Sequence, residues 1–355
     1  MSKPIPHSRL DIRAEEIEAV RRVVKSGQLA QGHGVERLEG VFAQRVGTRY
    51  AAATNSGTSA LHLALMALGI GDGDEVVLPS YVCTAVLNAV QYVRAAPVLA
   101  DIDETYNLCP GDVTRRLSRR TKAVIAVHLF GVPADVKALA RLQAPIIEDC
   151  AHALGAELDG MACGSFGKAG VFSFYATKMI AAGEGGMVVS NSKRVVDETK
   201  DLRTYDERED YRVRFNYKMT DMAAALALSQ LSRLDAFVRR RRDIAKRYDD
   251  ALKDAGMTAR AGARRGHPSF FRYVVDFGVA ASKVIRLFER EDICARRPVY
   301  RPLHHYLRTA PMPATDLAWQ QAVSLPIYPS LTDQEVARVC RAIIRVGRQI
   351  RGKQT

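Results

Sequence analysis

Short apolar runs alternate with amphipathic stretches along much of the chain. The apolar runs predict buried strands at residues 76–79, 97–101, 123–130 and 146–149. The stretches between them carry apolar residues at helical spacing and predict helices at residues 84–92, 112–117 and 135–142. This alternation predicts an α/β fold whose mostly parallel sheet is covered by helices on both faces.

The chain on either side of this region is mainly helical. Its patterns predict a strand at residues 269–277 and helices at residues 14–25, 35–46, 220–234, 237–252, 282–291 and 333–349. The 355 residues are enough for two domains. We therefore expect a large domain at residues 1–235 and a smaller C-terminal α/β domain at residues 236–355.

One turn has the features of an anion site. A small-residue strand leads into Ser56, Gly57 and Thr58, and an apolar helix follows. The free N–H groups and the dipole at a helix N-terminus favour a phosphate. Ser56 can equally be an ordinary N-cap residue with no ligand nearby.

Two acidic residues end a predicted strand. Glu148 and Asp149 directly follow the apolar residues 145–147. Ligands of parallel sheets bind at the carboxyl ends of the strands, and an unpaired buried carboxylate is costly. The two acids therefore indicate a site, unless they only cap the segment at residues 150–155.

Lys178 lies between two apolar, β-rich runs, and a glycine-rich segment at residues 183–186 follows it. A lysine between core strands is expected to be at least partly buried. Burial lowers the pKa of an amine, which a Schiff-base lysine requires. The glycines would let the backbone pass close to a group bonded to this lysine. The alternative is a β-hairpin with an exposed lysine.

Positive charge is concentrated in the C-terminal part. Residues 1–235 hold 28 Lys+Arg and 28 Asp+Glu, whereas residues 236–355 hold 24 and 11, so the net charge of +13 lies there entirely. This asymmetry indicates an anionic substrate, a polyanionic partner or a solvated basic face. Arg239 to Arg242 can form a nucleic-acid patch, but consecutive arginines point around a helix in several directions. A solvated connecting helix is therefore favoured.

The remaining composition argues against several classes of protein. No apolar run approaches the roughly 20 residues of a transmembrane helix, so no membrane partner is expected. Six cysteines without a Cys-x-x-Cys pair argue against disulfides or a zinc site and favour the reducing cytoplasm. A Rossmann fingerprint, a Walker lysine and a histidine pair at metal spacing are all missing, so neither a nicotinamide cofactor nor a metal is expected.

Four features of the chain match the needs of one cofactor. Pyridoxal 5′-phosphate (PLP) requires a lysine for a Schiff base, an acid against its pyridinium nitrogen and donors for its phosphate. Lys178, Asp149, the turn at residues 56–58 and Ser173 supply this set. The sequence therefore predicts a PLP enzyme.

The chain also resembles the DegT/DnrJ/EryC1/StrS family of PLP-dependent aminotransferases, which act mainly on keto sugars attached to nucleotides. Similar motifs follow one another at residues 26–32, 55–61, 73–76, 121–131, 147–153, 172–186, 216–219, 300–304 and 325–326. The resemblance implies a type I aminotransferase fold and a homodimer with shared active sites. It also implies that an amino acid, expected to be L-glutamate, donates its amine through pyridoxamine phosphate (PMP) to C3 or C4 of a nucleotide-linked keto sugar.

The resemblance implies a role for each matched residue. Lys178 would form the internal aldimine and carry the α-proton, and Asp149 would keep the ring nitrogen protonated. His152 would contact the phenolic oxygen of the cofactor. The residues expected to hold the phosphate are Ser56, Gly57, Thr58, Ser173 and, from a partner subunit, Asn216.

Two positions depart from the pattern of this family. Its usual aromatic residue over the cofactor ring is Cys83 here, so either Cys83 or Tyr81 is expected to cover the ring. The late His-Tyr pair of the family is replaced by residues 299–300, preceded by Arg296 and Arg297, which are predicted to face a diphosphate. The other candidates for contact with the substrate are Tyr81, Glu184, Tyr300 and His304.

Three alternative functions stay open. Within the cofactor class, the chain could aminate a keto-cyclitol, or it could be a sugar dehydratase, although those relatives replace the lysine with histidine. Outside this class, the arginine run suggests a nucleic-acid-binding regulator. A regulator has no use for a lysine, an acid and a phosphate turn in this order, so no nucleic-acid partner is expected.

Overall fold

The computed structural model describes residues 3–257 and 264–352. The strands are β1 (Tyr50–Thr54), β2 (Glu75–Pro79), β3 (Ala96–Ala100), β4 (Thr121–Val127), β5 (Ile146–Asp149), β6 (Glu157–Leu158), β7 (Met161–Ala162), β8 (Ala169–Ser173), β9 (Gly186–Ser190), β10 (Tyr273–Asp276) and β11 (Ala322–Leu325). The helices are α1 (Ala14–Ser26), α2 (His33–Val46), α3 (Gly57–Ala67), α4 (Thr84–Tyr92), α5 (Pro110–Arg116), α6 (Val136–Ala140), α7 (Lys193–Leu202), α8 (Asp221–Ser232), α9 (Leu234–Asp254), α10 (Ala281–Glu289), α11 (Leu303–Leu307), α12 (Pro313–Gln321) and α13 (Asp333–Arg351).

A seven-stranded sheet forms the centre of the molecule. Its strand order is β1-β9-β8-β5-β4-β2-β3. Strand β9 runs antiparallel to both of its neighbours, and the other six strands run in one direction. The mostly parallel sheet predicted from the alternation of strands and helices is therefore confirmed.

Both faces of this sheet are buried under helices. Val76 and Leu78 of β2 pack in a core that includes α3 and α4, whereas Val77 between them packs in a different core with α5 and α6. Successive side chains of a strand point to opposite faces. A continuous apolar run in the sequence is thus explained by burial on both sides.

A second, two-stranded sheet pairs β10 with β11 and packs against α9, α10 and α13. Helix α9 links this core to the large sheet, because Leu234 and Val238 pack with the large sheet and Ile244 and Tyr248 pack with the small one. The domain boundary between residues 235 and 236 stays a prediction.

The arginine run on α9 is not a solvated face. Of its four members, Arg239 alone is exposed, and Arg241 is only 5% exposed. The guanidinium of Arg241 donates hydrogen bonds to three backbone carbonyls, those of Phe270, Phe271 and Ile327. The prediction of a solvated helix is wrong for Arg241, because the loops before β10 and after β11 cover that side of α9.

Two expectations from composition concern cysteines and membrane spans. All six cysteines are free thiols. None of the helices in the described residues combines the length and the apolar character that a membrane span needs.

Candidate active site

The predicted site residues lie at one edge of the large sheet. Strands β1, β5 and β8 run in the same direction, so their carboxyl ends meet at this edge. Asp149 is the last residue of β5 and Ser173 the last residue of β8, while the turn after β1 opens helix α3. The topology therefore brings together three segments that are far apart in the sequence.

The turn before α3 is both a helix cap and a possible anion site. The Ser56 hydroxyl accepts a hydrogen bond from the backbone N–H of Ser59 at 3.0 Å, as an N-cap residue does. Within the described residues, the backbone N–H groups of Gly57 and Thr58 have no acceptor. Ser56 is therefore an N-cap residue, and the turn can still bind an anion. The cap leaves the N–H groups of Gly57 and Thr58 available at the positive end of the helix.

Gly57 is required by the close approach of β8. A Cβ atom at this position would lie 2.7 Å from the Cβ of Ser173, and such contacts do not occur between real side chains. Without a side chain, the N–H groups of the turn and the Ser173 hydroxyl share one small space. This arrangement fits a bound phosphate, which needs several donors at short range.

The Lys178 loop is the connection of a β-hairpin. Strands β8 and β9 pair in antiparallel fashion, and the loop is closed by hydrogen bonds at both ends, from Phe174 N to Gly185 O and from Ala182 N to Phe174 O, each at 2.8 Å. The alternative interpretation of this stretch was therefore right about the hairpin, but Lys178 is half-buried rather than exposed.

One of the glycines after Lys178 allows a close contact between two segments of the chain, which was not predicted from the sequence. A Cβ on Gly186 would overlap the carbonyl oxygen of Ser56. Gly186 therefore lets the start of β9 press against the anion turn. We expected these glycines to approach a group bonded to the lysine, and for Gly186 the close neighbour is this turn instead.

Lys178 and Asp149 open onto one cavity of about 230 Å³. Its other lining residues include Ser56, Gly57, Thr58, Ser173, Cys83 and Glu184. None of the ion pairs among the described residues joins Lys178 to Asp149, although the charge of each affects the pKa of the other. The cavity thus brings an amine, a carboxylate and phosphate-type donors to one space.

Burial shifts the pKa of both charged groups toward the neutral form. The pKa of Lys178 is lowered by burial and by the charge of Arg272, against the opposing effect of Asp149. The pKa of Asp149 is raised by burial, while the N–H of Ala151 at 2.9 Å and the charge of Lys178 oppose the rise. An amine with a lowered pKa is a better nucleophile at neutral pH, as Schiff-base chemistry needs.

His152 lies beside this cavity against an aromatic wall. Its ring stacks on Phe271 with 4.2 Å between the centres, and the Lys178 Nζ lies 5.3 Å from the centre of the same Phe271 ring. Burial lowers the pKa of His152, and the charges of Lys178 and Arg272 lower it further. His152 is therefore neutral at neutral pH.

The structure distinguishes between the two residues considered as a cover for the cofactor ring. Cys83 lines the cavity that contains Lys178. Tyr81 is fully buried, and its hydroxyl donates to the carbonyl of Ala318 at 3.3 Å. Cys83, and not Tyr81, faces the lysine.

Two other predicted residues lie outside this cavity. Asn216 is exposed, and its carbonyl accepts a hydrogen bond from the Asn55 side chain at 3.3 Å. His304 is buried between Ser80 at 2.7 Å and Asp316 at 3.1 Å. Within this chain neither residue reaches Lys178.

Arg296, Arg297 and Tyr300 line a second cavity of about 410 Å³, next to the Lys178 loop. Tyr300 is 87% exposed at its rim. Arg241 and Arg272 also line this cavity, and sequence analysis did not select either of them. Arg272 is a charged residue inside the mainly apolar run at residues 269–277. This unusual position could have identified it as a candidate site residue.

Comparisons with known proteins agree with this geometry. The pattern that defines the DegT/DnrJ/EryC1/StrS aminotransferase family matches residues 10–344. The chain belongs to this family. It is 32% identical over 361 residues to the GDP-perosamine synthase of Escherichia coli O157:H7, which covers 96% of this chain and 98% of that enzyme.

Solved structures extend the comparison to the whole fold. Spr1654 of Streptococcus pneumoniae, solved in PMP and PLP forms, is 26% identical, and its PMP form superposes with a TM-score of 0.91 over 99% of both chains. DesI, solved in the presence of its TDP-sugar product, is 29% identical with a TM-score of 0.90 over 100% of this chain and 96% of DesI. This member of the family is a PLP-dependent aminotransferase, and its fold is that of the PLP aminotransferases, as predicted.

Proposed function

We propose that this aminotransferase moves an amino group from L-glutamate to C3 or C4 of a keto sugar attached to a nucleotide. The observation that carries the proposal is the shared cavity of Lys178 and Asp149, which the α3 turn and Ser173 also line. A lysine, an acid and phosphate donors around one space of this size are what PLP requires.

The residues of this cavity have distinct tasks when the cofactor is bound. PLP supplies a ring that accepts the electron pair released when the Cα–H bond of a substrate breaks. Asp149 would hold a proton on the ring nitrogen, and Lys178 would provide the amine that binds the cofactor and moves the α-proton. The N–H groups of Gly57 and Thr58, with the Ser56 and Ser173 hydroxyls, would hold the phosphate.

The walls of the cavity orient the ring between these groups. Cys83 lines the cavity at the position where the family usually has an aromatic residue, and it would cover the cofactor ring. Neutral His152, held in place by its stack on Phe271, would contact the phenolic oxygen. Glu184 also lines the cavity and would contact the substrate, and Tyr300 and His304 remain candidates for the far end of the substrate.

The substrate class rests on what related proteins bind. A GDP-perosamine synthase and a protein that binds a TDP-sugar product are similar to this chain over nearly its full length. The excess positive charge at residues 236–355 suits a nucleotide diphosphate. We expect Arg296 and Arg297 to face this diphosphate, and unchanged substrate KM in an Arg296→Ala, Arg297→Ala double variant would contradict that expectation.

Assembly and location follow from the same proposal. Asn216 is exposed and does not reach the cavity of its own chain, so we propose that it completes the phosphate site of a partner subunit in a homodimer. We also propose that the boundary between the large domain and the small domain lies between residues 235 and 236. The six free thiols are consistent with an enzyme of the reducing cytoplasm.

The proposal is tested by supplying the enzyme with its two substrates in turn. Addition of L-glutamate should bleach the visible colour of the purified enzyme, and a nucleotide-linked keto sugar should restore it. Mass spectrometry should then find the amino sugar nucleotide. A colour that glutamate leaves unchanged, or that only a keto-cyclitol restores, would contradict the proposed substrates.

A dehydratase is the second candidate within this cofactor class. That reaction removes a hydroxyl group from the sugar and leaves no amine on it. Lys178 argues against it, because the dehydratase relatives carry histidine at this position. In the same assay, a dehydratase would give a sugar nucleotide that has lost oxygen and contains no added nitrogen, which mass spectrometry would detect.

A further inference from the structure

Two histidines and an aspartate meet at one point between helices α11 and α12. His304 and His305 lie on α11, and Asp316 lies in the first turn of α12. The Nε2 atom of His304 is 3.1 Å from Oδ1 of Asp316, and the Nε2 atom of His305 is 2.8 Å from the same oxygen. Two imidazole nitrogens and a carboxylate oxygen, which are ligands that Zn²⁺ prefers, therefore converge.

The spacing of these atoms is close to that of a metal site. Ligands about 2.1 Å from a tetrahedral Zn²⁺ lie about 3.4 Å from one another, and the two observed distances are shorter by a few tenths of an ångström. Oδ2 of Asp316 has no hydrogen-bond partner among the described residues. A small rotation of this carboxylate can therefore make room for a cation.

The ring of His304 is held on its other side by Ser80. Nδ1 of His304 lies 2.7 Å from Ser80 Oγ, and the backbone N–H of His304 donates to the same oxygen at 3.0 Å. A histidine that binds a metal through one ring nitrogen nearly always donates its other N–H to a neighbouring oxygen. Ser80 provides that oxygen, so Nε2 of His304 can present its lone pair to a cation.

The point where these ligands meet is open to solvent on one side. The side chains of His305 and Asp316 are each 26% exposed, whereas that of His304 is 3% exposed. A cation can thus enter from solvent, and water can complete its coordination, as it does in zinc sites with three protein ligands.

A second group of metal-ligand side chains lacks these properties. His128, Glu148 and Cys150 also lie close together, but all three are buried. Glu148 already accepts hydrogen bonds from His128 and from three backbone N–H groups, and Nδ1 of His128 accepts one from the N–H of Ala134. Because these atoms are used in hydrogen bonds and closed to solvent, we assign no metal to this group.

We propose that His304, His305 and Asp316 bind a divalent transition-metal cation, with Zn²⁺ as the ion that best suits two imidazoles and one carboxylate. Neighbouring residues of a helix ordinarily point in different directions, which is why no metal was expected from the sequence. The assignment gives His304 a role other than contact with the substrate. It does not depend on the proposed function.

The cation would connect two helices to a loop that reaches the cofactor cavity. Ser80 lies in the loop before α4, and Cys83 of the same loop lines that cavity. The N–H of Leu303 also donates to the carbonyl of Ser80 at 2.8 Å. An ion that binds only the folded state stabilises it, so Zn²⁺ should raise the Tm of the PLP-loaded enzyme.

The first test measures binding of Zn²⁺ and Co²⁺ to PLP-loaded enzyme that has been treated with a chelator. Calorimetry should find a single tight Zn²⁺ site per chain, and Co²⁺ should give the visible absorption of an ion bound by nitrogen and oxygen. His305→Gln and Asp316→Asn should each remove this site and the rise in Tm. His33→Gln replaces an exposed histidine at the start of α2 and is the matched control, which should keep both.

The second test changes a residue that supports a ligand but does not bind the ion. Ser80→Ala keeps all three ligands and removes the oxygen next to Nδ1 of His304. It should raise the Kd for Zn²⁺ about 10–100-fold, the usual effect of losing such a partner. An unchanged Kd in Ser80→Ala would overturn the geometry proposed for the site.

The other outcomes are equally distinct. A wild-type enzyme without a tight Zn²⁺ site would overturn the inference, and so would a site that both His305→Gln and Asp316→Asn retain. A charge-transfer band from sulfur to Co²⁺ would show that a cysteine binds the ion, which would also overturn it. If no amino acid bleaches the wild-type enzyme, the proposed function is wrong and the metal site is unaffected.

Discussion

The two cavities beside the Lys178 loop differ in how their charges are balanced. The cavity of about 230 Å³ contains an amine, carboxylates and backbone N–H donors. The cavity of about 410 Å³ contains four arginines and, among the described residues, no acid. The first has partners of both signs for a cofactor that carries a phosphate and a protonated ring. In the second, Arg241 and Arg297 donate to backbone carbonyls, whereas Arg272 has no acidic partner among the described residues.

The difference extends to how the chain builds each cavity. The cofactor cavity is formed where β1, β5 and β8 end, so its chemistry follows from the topology of one sheet. The arginine cavity is assembled from the N-terminal segment at His7, helix α9, and the segments around Arg272 and Arg296. In the proposed function, cofactor binding thus depends on local motifs, whereas substrate binding depends on segments that are distant in the sequence.

Removing the amine of the cofactor cavity should have the largest effect. Lys178→Ala should eliminate the Schiff base and reduce kcat by at least about 10²–10⁴-fold, the usual contribution of proton transfer alone. Absorption of the visible chromophore and single-turnover rates would measure both losses. A Lys178→Ala enzyme with near-normal turnover would contradict the assignment of the cofactor cavity.

Removing the opposite charge of the same cavity should have the next largest effect. Asp149→Asn keeps the size of the side chain but cannot stabilise a protonated ring nitrogen. We expect kcat to fall by about 10²–10⁴-fold while PLP still binds. Spectroscopic titration with PLP would check binding, and an active Asp149→Asn enzyme would show that the acid has no electronic role.

Loss of Arg241, which lies at the wall of the arginine cavity, should affect stability more than chemistry. Arg241→Gln leaves buried carbonyls without their donor and should lower the free energy of unfolding by about 1–3 kcal/mol. Arg239→Gln, two positions away and exposed, should change it by no more than about 0.5 kcal/mol. Equal denaturant midpoints for the two variants would mean that Arg241 is not structural.

The smallest predicted effect is a change in the pKa of Lys178 when Arg272, a residue of the other cavity, is replaced. Because the positive charge of Arg272 lowers the pKa of Lys178, Arg272→Gln should raise that pKa, although burial will still hold it below its usual value. The neutral amine reacts with acetic anhydride, so labelling of Lys178 in cofactor-free protein should shift to higher pH. Peptide mass spectrometry would follow the label, and a shift to lower pH would contradict the coupling.

Sequence analysis predicted the residues whose chemistry is local. Asp149 ends a continuous apolar run, and Lys178 lies between two such runs, so strand periodicity alone places both at the edge of a sheet. The contact of Gly57 with Ser173 and that of Gly186 with Ser56 depend on strand pairing across the sheet. Periodicity along one segment carries no information about such contacts.

The arginines show more clearly which contacts cannot be predicted from the sequence pattern. A run of four arginines predicted a solvated helix, yet Arg241 is enclosed by loops from two other parts of the chain. Arg272 belongs to a predicted strand, and its charge reaches Lys178 because the preceding residue, Phe271, packs next to the lysine. Hydrophobic pattern identifies which helix or strand forms, but not which buried polar groups a distant loop will satisfy.

Reduction of the PLP-loaded enzyme with borohydride tests the central claim most directly, because it makes the bond between cofactor and lysine permanent. Peptide mass spectrometry should find the pyridoxyl group on Lys178 in wild-type enzyme and nowhere in Lys178→Ala. A label on any other lysine, or an unlabelled enzyme that remains active, would contradict the account.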